Sequence, residues 1–328
     1  MNFIDNIEIK NFKSIRHQKI EGCKKINVFI GYPNVGKSNI LEALSTIQFC
    51  KPNSKRSFHD FCRYETSAEI FFEANVKERA RVSYNDLITI NLNYGNEENI
   101  EFYASDFNSP IDINGIGYVP SKIEIDLFKY QFQLNAPEKD IYTIKHLQSP
   151  FGNNLFRIVG NEIELRKEFN LLLIDYGLKL LVDKVSNSLR LIKEISEDSI
   201  FQISYSLLAD TLQRLFFYKA AIYSNQNSVL LFEEPEANMF PPYIKKLTTD
   251  ILLDKTNQFF LATHSPYVLD ELILDAGDDL SVYLVDYKDG ETIIHYLSSD
   301  DLSEIRQYGV DLFFNIESYL KHGQVNNS

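Results

Sequence analysis

The chain contains no tryptophan, two methionines and only three cysteines in 328 residues. Cys23, Cys50 and Cys62 are odd in number and share no C-x-x-C spacing, so neither a disulfide framework nor a zinc knuckle is suggested, and a reducing compartment fits best. His59 and Asp60 stand near Cys62, but without a second ligand cluster they read as ordinary polar loop residues. Long apolar runs are also missing. The N-terminus MNFIDNIEIKNFKS alternates charged and apolar residues, which argues against a signal peptide or a membrane span, and no later segment reaches spanning length. The expected location is the cytoplasm. Positive charge is in deficit: 33 basic against 46 acidic residues leave a net charge of −13. That balance excludes a surface that coats nucleic acid or anionic lipid throughout. It leaves open a local basic groove, for which Lys51, Lys55, Arg56 and Arg63 are the candidates, against the plainer reading of a solvated loop.

What is present suffices for a sizeable core, with 44% hydrophobic and 24% charged residues. The first residues read as strands through Ile4, Ile7, Ile9 and Phe12, and Lys25 to Ile30 is a compact β-rich run that ends at a glycine. From Ser38 to Phe49 apolar residues recur at helical spacing, so Gly31 to Lys37 joins a strand to a helix. Between about Ala68 and Phe132, short alternating runs such as Glu69–Glu73 and Leu87–Leu92 predict an antiparallel β region. After Pro150 the pattern turns helical, with Leu171, Leu172, Ile174, Leu178, Leu181 and Val182 forming stripes through about Lys193. A further helix, about Leu207 to Tyr223, leads into Ser228–Phe232, an apolar run that fits a strand buried on both faces. Gln258–Thr263 and Leu280–Val285 repeat that character. Disorder is expected at most in Gln324–Ser328.

Three strand ends carry chemistry. Gly31-Tyr32-Pro33-Asn34-Val35-Gly36-Lys37-Ser38 matches G-x-x-x-x-G-K-[ST] between a predicted strand and a predicted helix, the context that gives this motif its meaning. Backbone N–H groups of such a loop surround phosphates, Lys37 reaches the β and γ oxygens, and the Ser38 hydroxyl faces magnesium, with Asn34, Val35 and Asn39 adjoining. The second is Leu230-Leu231-Phe232-Glu233-Glu234-Pro235-Glu236, a buried strand that stops in carboxylates. Glu233 is placed to hold magnesium and Glu234 to act as general base toward water. The third is Thr263-His264-Ser265-Pro266, where an imidazole can bridge attacking water and γ-phosphate.

These three elements in this order resemble the ABC-type ATPases of the SMC and RecF-like branch, and within it the short bacterial ATPases related to OLD proteins. Asn11-Phe12-Lys13-Ser14 resembles the family's N-F-[KR]-S element, which implies that Lys13 approaches the nucleotide. The resemblance implies an α/β ABC-type head with an antiparallel β region and an inserted helical lobe. Residues 1–148 and 225–328 would form the nucleotide-binding lobe of a single ATPase domain, and 149–224 the helical lobe. It implies ATP and Mg²⁺ as ligands, a homodimer that sandwiches ATP, and Gln148 as a Q-loop ligand of the metal. Where the family's signature reads approximately S-D-G-x-x-R, the chain has Ala209-Asp210-Thr211-Leu212-Gln213-Arg214, which leaves Asp210 and Arg214 as the residues that would cross the dimer. Both histidines of the family's E-A-H-x-H-P are replaced in Glu236-Ala237-Asn238-Met239-Phe240-Pro241, which bears on hydrolysis rate and dimer geometry.

The expectation is an ATP-driven switch in phage defence or DNA maintenance that controls a separate effector, a nuclease or toxin. Only about 60 residues follow His264, too few for the TOPRIM nuclease of larger relatives. Nucleic acid as a partner is left open, and a membrane is not expected. A non-hydrolysing ATP-sensing scaffold is the alternative. A membrane-transport ATPase would need an L-S-G-G-Q signature and a GTPase an N-K-x-D motif, and neither is in the chain; Asp112 to Gly115 reads as a hairpin turn.

Overall fold

The computed structural model describes residues 3–50, 57–96, 99–104, 111–112, 123–134, 136 and 144–325. Along the chain, β1 (Ile7–Phe12), β2 (Ile15–Ile20) and β3 (Ile26–Ile30) precede helix α1 (Lys37–Phe49). β4 (Ala80–Tyr84), β5 (Ile88–Tyr94), β6 (Ile100–Ala104), β7 (Ile111–Asp112) and β8 (Leu127–Tyr130) follow. Next come α2 (Leu155–Asn161), α3 (Ile163–Leu173), β9 (Lys179–Asp183), β10 (Ser188–Ser196), β11 (Ser199–Ser204) and α4 (Asp210–Ser224). The chain closes with β12 (Val229–Glu233), α5 (Pro241–Leu253), β13 (Gln258–Ala262), α6 (Pro266–Asp275), β14 (Leu280–Lys288), β15 (Glu291–Tyr296), α7 (Ser299–Tyr308) and α8 (Leu312–Val325). Among the described residues, no helix is long and apolar enough to cross a membrane.

Two compact units emerge: Met1–Lys129, Asn227–Glu234 and Thr256–Ser328 form the first, Tyr130–Gln226 and Pro235–Lys255 the second. The first holds two sheets. One is antiparallel, in the order β2-β1-β4-β5-β6-β7; the other runs β15-β14-β3-β13-β12-β8. In the latter β14, β3, β13 and β12 are parallel to one another and β15 is antiparallel to β14. The central strands INVFI and QFFLA are buried at every position, as parallel strands covered on both faces must be. Between the sheets lies α1, which touches β12 and β13 on one side and β1 and β4 on the other. Eleven of its 13 residues are buried, Lys37, Glu42, Ser45, Thr46 and Gln48 among them, so it is a core helix enclosed nearly all round rather than an amphipathic surface helix. Phe49 at its end packs against Phe58, Phe61 and Phe102, which ties the helix to the antiparallel sheet.

The second unit joins α2, α3, α4 and α5 to a three-stranded antiparallel sheet in the order β11-β10-β9. Phe169 of α3 stacks on Phe216 of α4 at 3.9 Å. The buried Lys219 of α4 pairs with Glu168 of α3 and with Asp250 of α5 at 2.6 Å. The helical stripes expected through Lys193 are therefore interrupted by sheet. A turn at Ile174–Tyr176 ends on Gly177 in the left-handed region, and from Lys179 the burial alternates, with Leu180 buried and Leu181 exposed. Leucine doublets fit either period, and the choice falls to the alternation of Leu189 and Leu191 across the hairpin. Glu69–Glu73, read as a strand, forms two tight 3₁₀ turns instead, with Glu73 and Ala74 at positive φ. Residues 235–255, expected with the nucleotide-binding lobe, group with the second unit. The turn assigned to Asp112–Gly115, beyond Asp112 itself, and the last three residues lie outside the described residues.

Because α1 is packed on all sides, truncation inside it cannot be relieved by collapse from solvent. Leu44→Ala, at a fully buried position, is expected to lower unfolding stability by about 2–5 kcal/mol in urea denaturation with an unchanged slope.

Candidate functional site

β3 delivers the chain into the Gly31–Gly36 loop, and α1 begins at Lys37 with Gly36 as its N-cap. Two glycines are dictated by close neighbours. A Cβ on Gly31 would meet the Val285 carbonyl oxygen at 2.1 Å, and one on Gly36, where φ is +103°, would meet Thr292 Oγ1 at 2.1 Å. The loop thus rests on β14 and β15. Thr292 Oγ1 donates to the Val35 carbonyl at 2.8 Å and lies 2.6 Å from Ser14 Oγ, which in turn accepts from Asn39 Nδ2 at 2.7 Å. Asn34 adopts a left-handed φ of +63°. Lys37, only 5% exposed, donates Nζ to the carbonyls of Gly31 at 3.0 Å and Tyr32 at 2.8 Å. Burial pulls its ammonium down to about 8, with Glu234 acting in the opposite sense.

The carboxylates and the histidine come from the ends of neighbouring strands. Glu233 ends β12, opposite Ala262 at the end of β13. Glu234 turns out of the strand with φ of +43°, an uncommon conformation for a residue with a side chain, and its N–H donates to the Ala262 carbonyl at 2.8 Å. His264 follows β13, just before α6, whose N-cap Ser265 accepts from the Val268 N–H. Its Nε2 lies 3.6 Å from Glu234 Oε1, with both side chains partly open to solvent. Burial and the Lys37 charge pull the imidazole below its ordinary value against the opposing pull of Glu234, which leaves it neutral near pH 7. Burial raises the Glu233 carboxyl, but Lys129, the Ser38 hydroxyl and Arg63 together outweigh burial and leave it lowered. The strand ends therefore bring together the loop lysine and serine, two acids and one imidazole.

A chain of charges backs these groups. Glu42 of α1, fully buried, pairs with Lys13 Nζ and accepts from Arg63 Nε at 3.0 Å. Arg63 reaches on to Glu233 Oε1 with Nη2 at 2.9 Å, and Lys129 Nζ lies 3.4 Å from Glu233 Oε2. Lys13, expected to approach the nucleotide, is held on Glu42, and Ser14 of the same motif lies beneath the loop. Arg63, read as part of a basic groove, is engaged by two carboxylates, while Lys51, Lys55 and Arg56 lie outside the described residues. Cys62 is buried beside Glu42, and the His59 ring stacks on Tyr64 at 3.8 Å. Thr292, Glu42 and Lys129 are the residues that sequence reasoning missed, since none sits in a motif; only Glu42, a charge inside an apolar helix, gave a signal.

Gln148, Asp210 and Arg214 belong to the second unit. Gln148 Oε1 is buried without a hydrogen-bond partner among the described residues, whereas its backbone N–H is held by Asn154 Oδ1 at 2.7 Å. Asp210 opens α4 with a buried Oδ1 that lacks a partner, and the Arg214 guanidinium lies over the Phe132 ring at 4.7 Å. Both side chains are half-buried within their own unit.

The donor set in the first unit fits a triphosphate with a hard divalent cation: loop N–H groups at a helix N-terminus, an ammonium, a hydroxyl, and a carboxylate hydrogen-bonded to that hydroxyl. A family model described as "AAA domain, putative AbiEii toxin, Type IV TA system" matches residues 26–270. The DNA replication and repair protein RecF of Bacillus mycoides (strain KBAB4) is 22% identical over 203 residues, 55% of this chain and 51% of its own length. RecF of Caldanaerobacter subterraneus subsp. tengcongensis is 25% identical over 304 residues, 86% of this chain and 77% of its own. The chain thus spans about half the length of the first of these relatives and about three quarters of the second. Among solved structures, the Smc head domain with an extended coiled coil bound to the C-terminal domain of ScpA, derived from Pyrococcus furiosus, is similar with a TM-score of 0.54 at 13% identity. That likeness, one of fold, covers 93% of this chain and 99% of the other.

The depressed Lys37 ammonium makes phosphate binding pH-dependent. Above pH 8 Lys37 is a neutral amine that a bound polyphosphate would recharge, so binding takes up a proton and weakens as pH rises. Calorimetry in buffers of different ionisation enthalpy should record proton uptake approaching one at pH 9 and little at pH 7; uptake independent of pH would contradict the assignment.

Proposed function

The chain belongs to the AAA-domain family whose model spans residues 26–270 and is an ABC-type P-loop ATPase of the SMC and RecF branch; from that premise we propose that it binds and hydrolyses ATP as a dimerising switch. The observation that carries the reading is the approach of Glu234 to His264 at 3.6 Å, beside the lysine of the phosphate loop.

Lys37 would exchange the carbonyls of Gly31 and Tyr32 for β and γ oxygens of ATP, and the loop N–H groups would hold the phosphates in place. Ser38 and Glu233 are the residues that would hold magnesium, which when bound supplies charge neutralisation on the phosphates; Gln148 is assigned to the same role by resemblance alone. Glu234 takes the proton of the attacking water as its oxygen bonds to the γ-phosphorus and the bond to the ADP oxygen breaks. His264, neutral near pH 7, orients that water and donates toward the γ-phosphate. The glutamate leaves the strand through a left-handed backbone whose N–H is bonded to the Ala262 carbonyl.

In the wider reading two copies close head to head around ATP in the cytoplasm, magnesium included, and the switch governs a separate nuclease or toxin in phage defence or DNA maintenance. The relation to OLD proteins belongs to that reading. A non-hydrolysing ATP sensor is the second reading. It is favoured by the altered stretch Ala209–Arg214, whose arginine is stacked on Phe132 of its own chain.

Glu234→Gln keeps the shape but cannot take a proton, so single-turnover hydrolysis should fall by about 10²–10⁴-fold with ATP affinity unchanged. Hydrolysis at the parent rate would remove Glu234 from the role of base. In the same variant ATP should double the mass in light scattering, since the closed pair cannot discharge. Adding Asp210→Arg should abolish that association while ATP affinity stays the same; a mass that stays single at saturating ATP favours the sensor reading.

A further inference from the structure

Two cations reach Glu233, and they are held in different ways. Arg63 comes from solvent, with its side chain 64% exposed. Lys129 is 2% exposed; its Nζ donates to the Phe61 carbonyl at 3.0 Å while lying 3.4 Å from Glu233 Oε2, and its backbone N–H is held by Gln48 Oε1 of α1 at 3.0 Å. An exposed guanidinium can swing into water at small cost. A buried ammonium cannot, because withdrawing it would strand two charges away from water. P-loop chemistry as described above requires Lys37, Ser38, the two acids and the imidazole, and gives Lys129 no part.

We propose that Lys129 is a resident cation of the nucleotide site: a positioning residue that permanently supplies part of the positive charge otherwise brought by magnesium, so that ATP binds with little dependence on divalent metal. The inference rests on the reading of Ser38 and Glu233 as the magnesium side of an ATP site. The local charge supports it. Lys13, Lys37, Arg63 and Lys129 face Glu42, Glu233 and Glu234, an excess of one positive charge within a chain of net charge −13. A lone carboxylate at the end of β12 would repel the phosphates until metal stood between them. With the ammonium fixed at Glu233 that repulsion is cancelled before any metal arrives. The same ammonium cancels the field that would draw a free divalent ion to Ser38 and Glu233, so metal enters only together with the nucleotide.

The test measures affinity for a non-hydrolysable ATP analogue by calorimetry, with Mg²⁺ and with EDTA, in the parent chain, Lys129→Met and Lys129→Arg. Electron paramagnetic resonance of Mn²⁺ on nucleotide-free protein gives a second readout that a merely structural lysine would not move. The parent should lose less than tenfold affinity in EDTA, Lys129→Met a hundredfold or more, and Lys129→Arg should behave as the parent. Nucleotide-free parent should leave Mn²⁺ in solution, Lys129→Met should bind one ion, and Glu233→Gln in that background should release it. Equal metal dependence in the parent and in Lys129→Met overturns the proposal. Should the methionine variant fail to fold, the parent alone decides, since a hundredfold loss in EDTA or a tightly bound Mn²⁺ without nucleotide also overturns it. A parent that binds no nucleotide under either condition overturns the ATPase reading and this inference with it.

Discussion

Inside the first unit a carboxylate sits wholly out of water. Glu42 projects from the middle of α1, the helix enclosed by both sheets, and it is tolerable there only because Lys13 and Arg63 meet it. Removing one partner of a buried pair such as Lys13 and Glu42 costs about 3–5 kcal/mol, because the survivor is left charged in a poor solvent. That constraint organises the site. It draws the β1–β2 turn onto the helix through Lys13, which sets Ser14 beneath the phosphate loop beside Asn39 and Thr292. Through Arg63 it links the segment after α1 to Glu233 at the tip of β12. The helix that begins at the phosphate loop and the strand that ends in Glu233 thus share one electrostatic support.

How much of this could be read from the residues depends on whether a requirement is local. The phosphate loop, the acids after β12 and the histidine after β13 are each written in a few consecutive residues; an acidic strand end or a single histidine is commonplace alone and gains its meaning only beside the loop. The parallel strands were equally legible, because burial on both faces leaves an unbroken apolar run such as Val229–Phe232. The sheet of the second unit was not, for leucine pairs such as Leu180-Leu181 satisfy a helical stripe as well as a strand until their partners across the hairpin are known. Glu69–Glu73 misled for a similar reason: its aromatic residues favour strand, but two positive φ angles bend the chain into turns that bury Ile70, Phe71 and Phe72. Thr292 and Lys129 carry no sequence signal at all. Their importance comes from contacts spanning 257 and 68 residues, which only the fold creates.

A left-handed glutamate and two groups with lowered proton affinity, Lys37 and His264, gather at these strand ends. Lys37 donates to the carbonyls of Gly31 and Tyr32, so these loop acceptors are met by the loop's own lysine. That arrangement buries an ammonium among neutral acceptors, which do not compensate its lost hydration and so lower its proton affinity. A triphosphate offers the same nitrogen formal negative charge, which the carbonyls cannot. Binding therefore releases an unfavourable state of the free protein besides making new contacts. The energy so recovered does not fall on the lysine alone. Lys37 also lowers His264, while Glu234 acts to raise both groups, so a lysine drawn onto phosphate would change the field at the imidazole. The charges of Lys37, Glu234 and His264 are thus coupled across neighbouring strand ends.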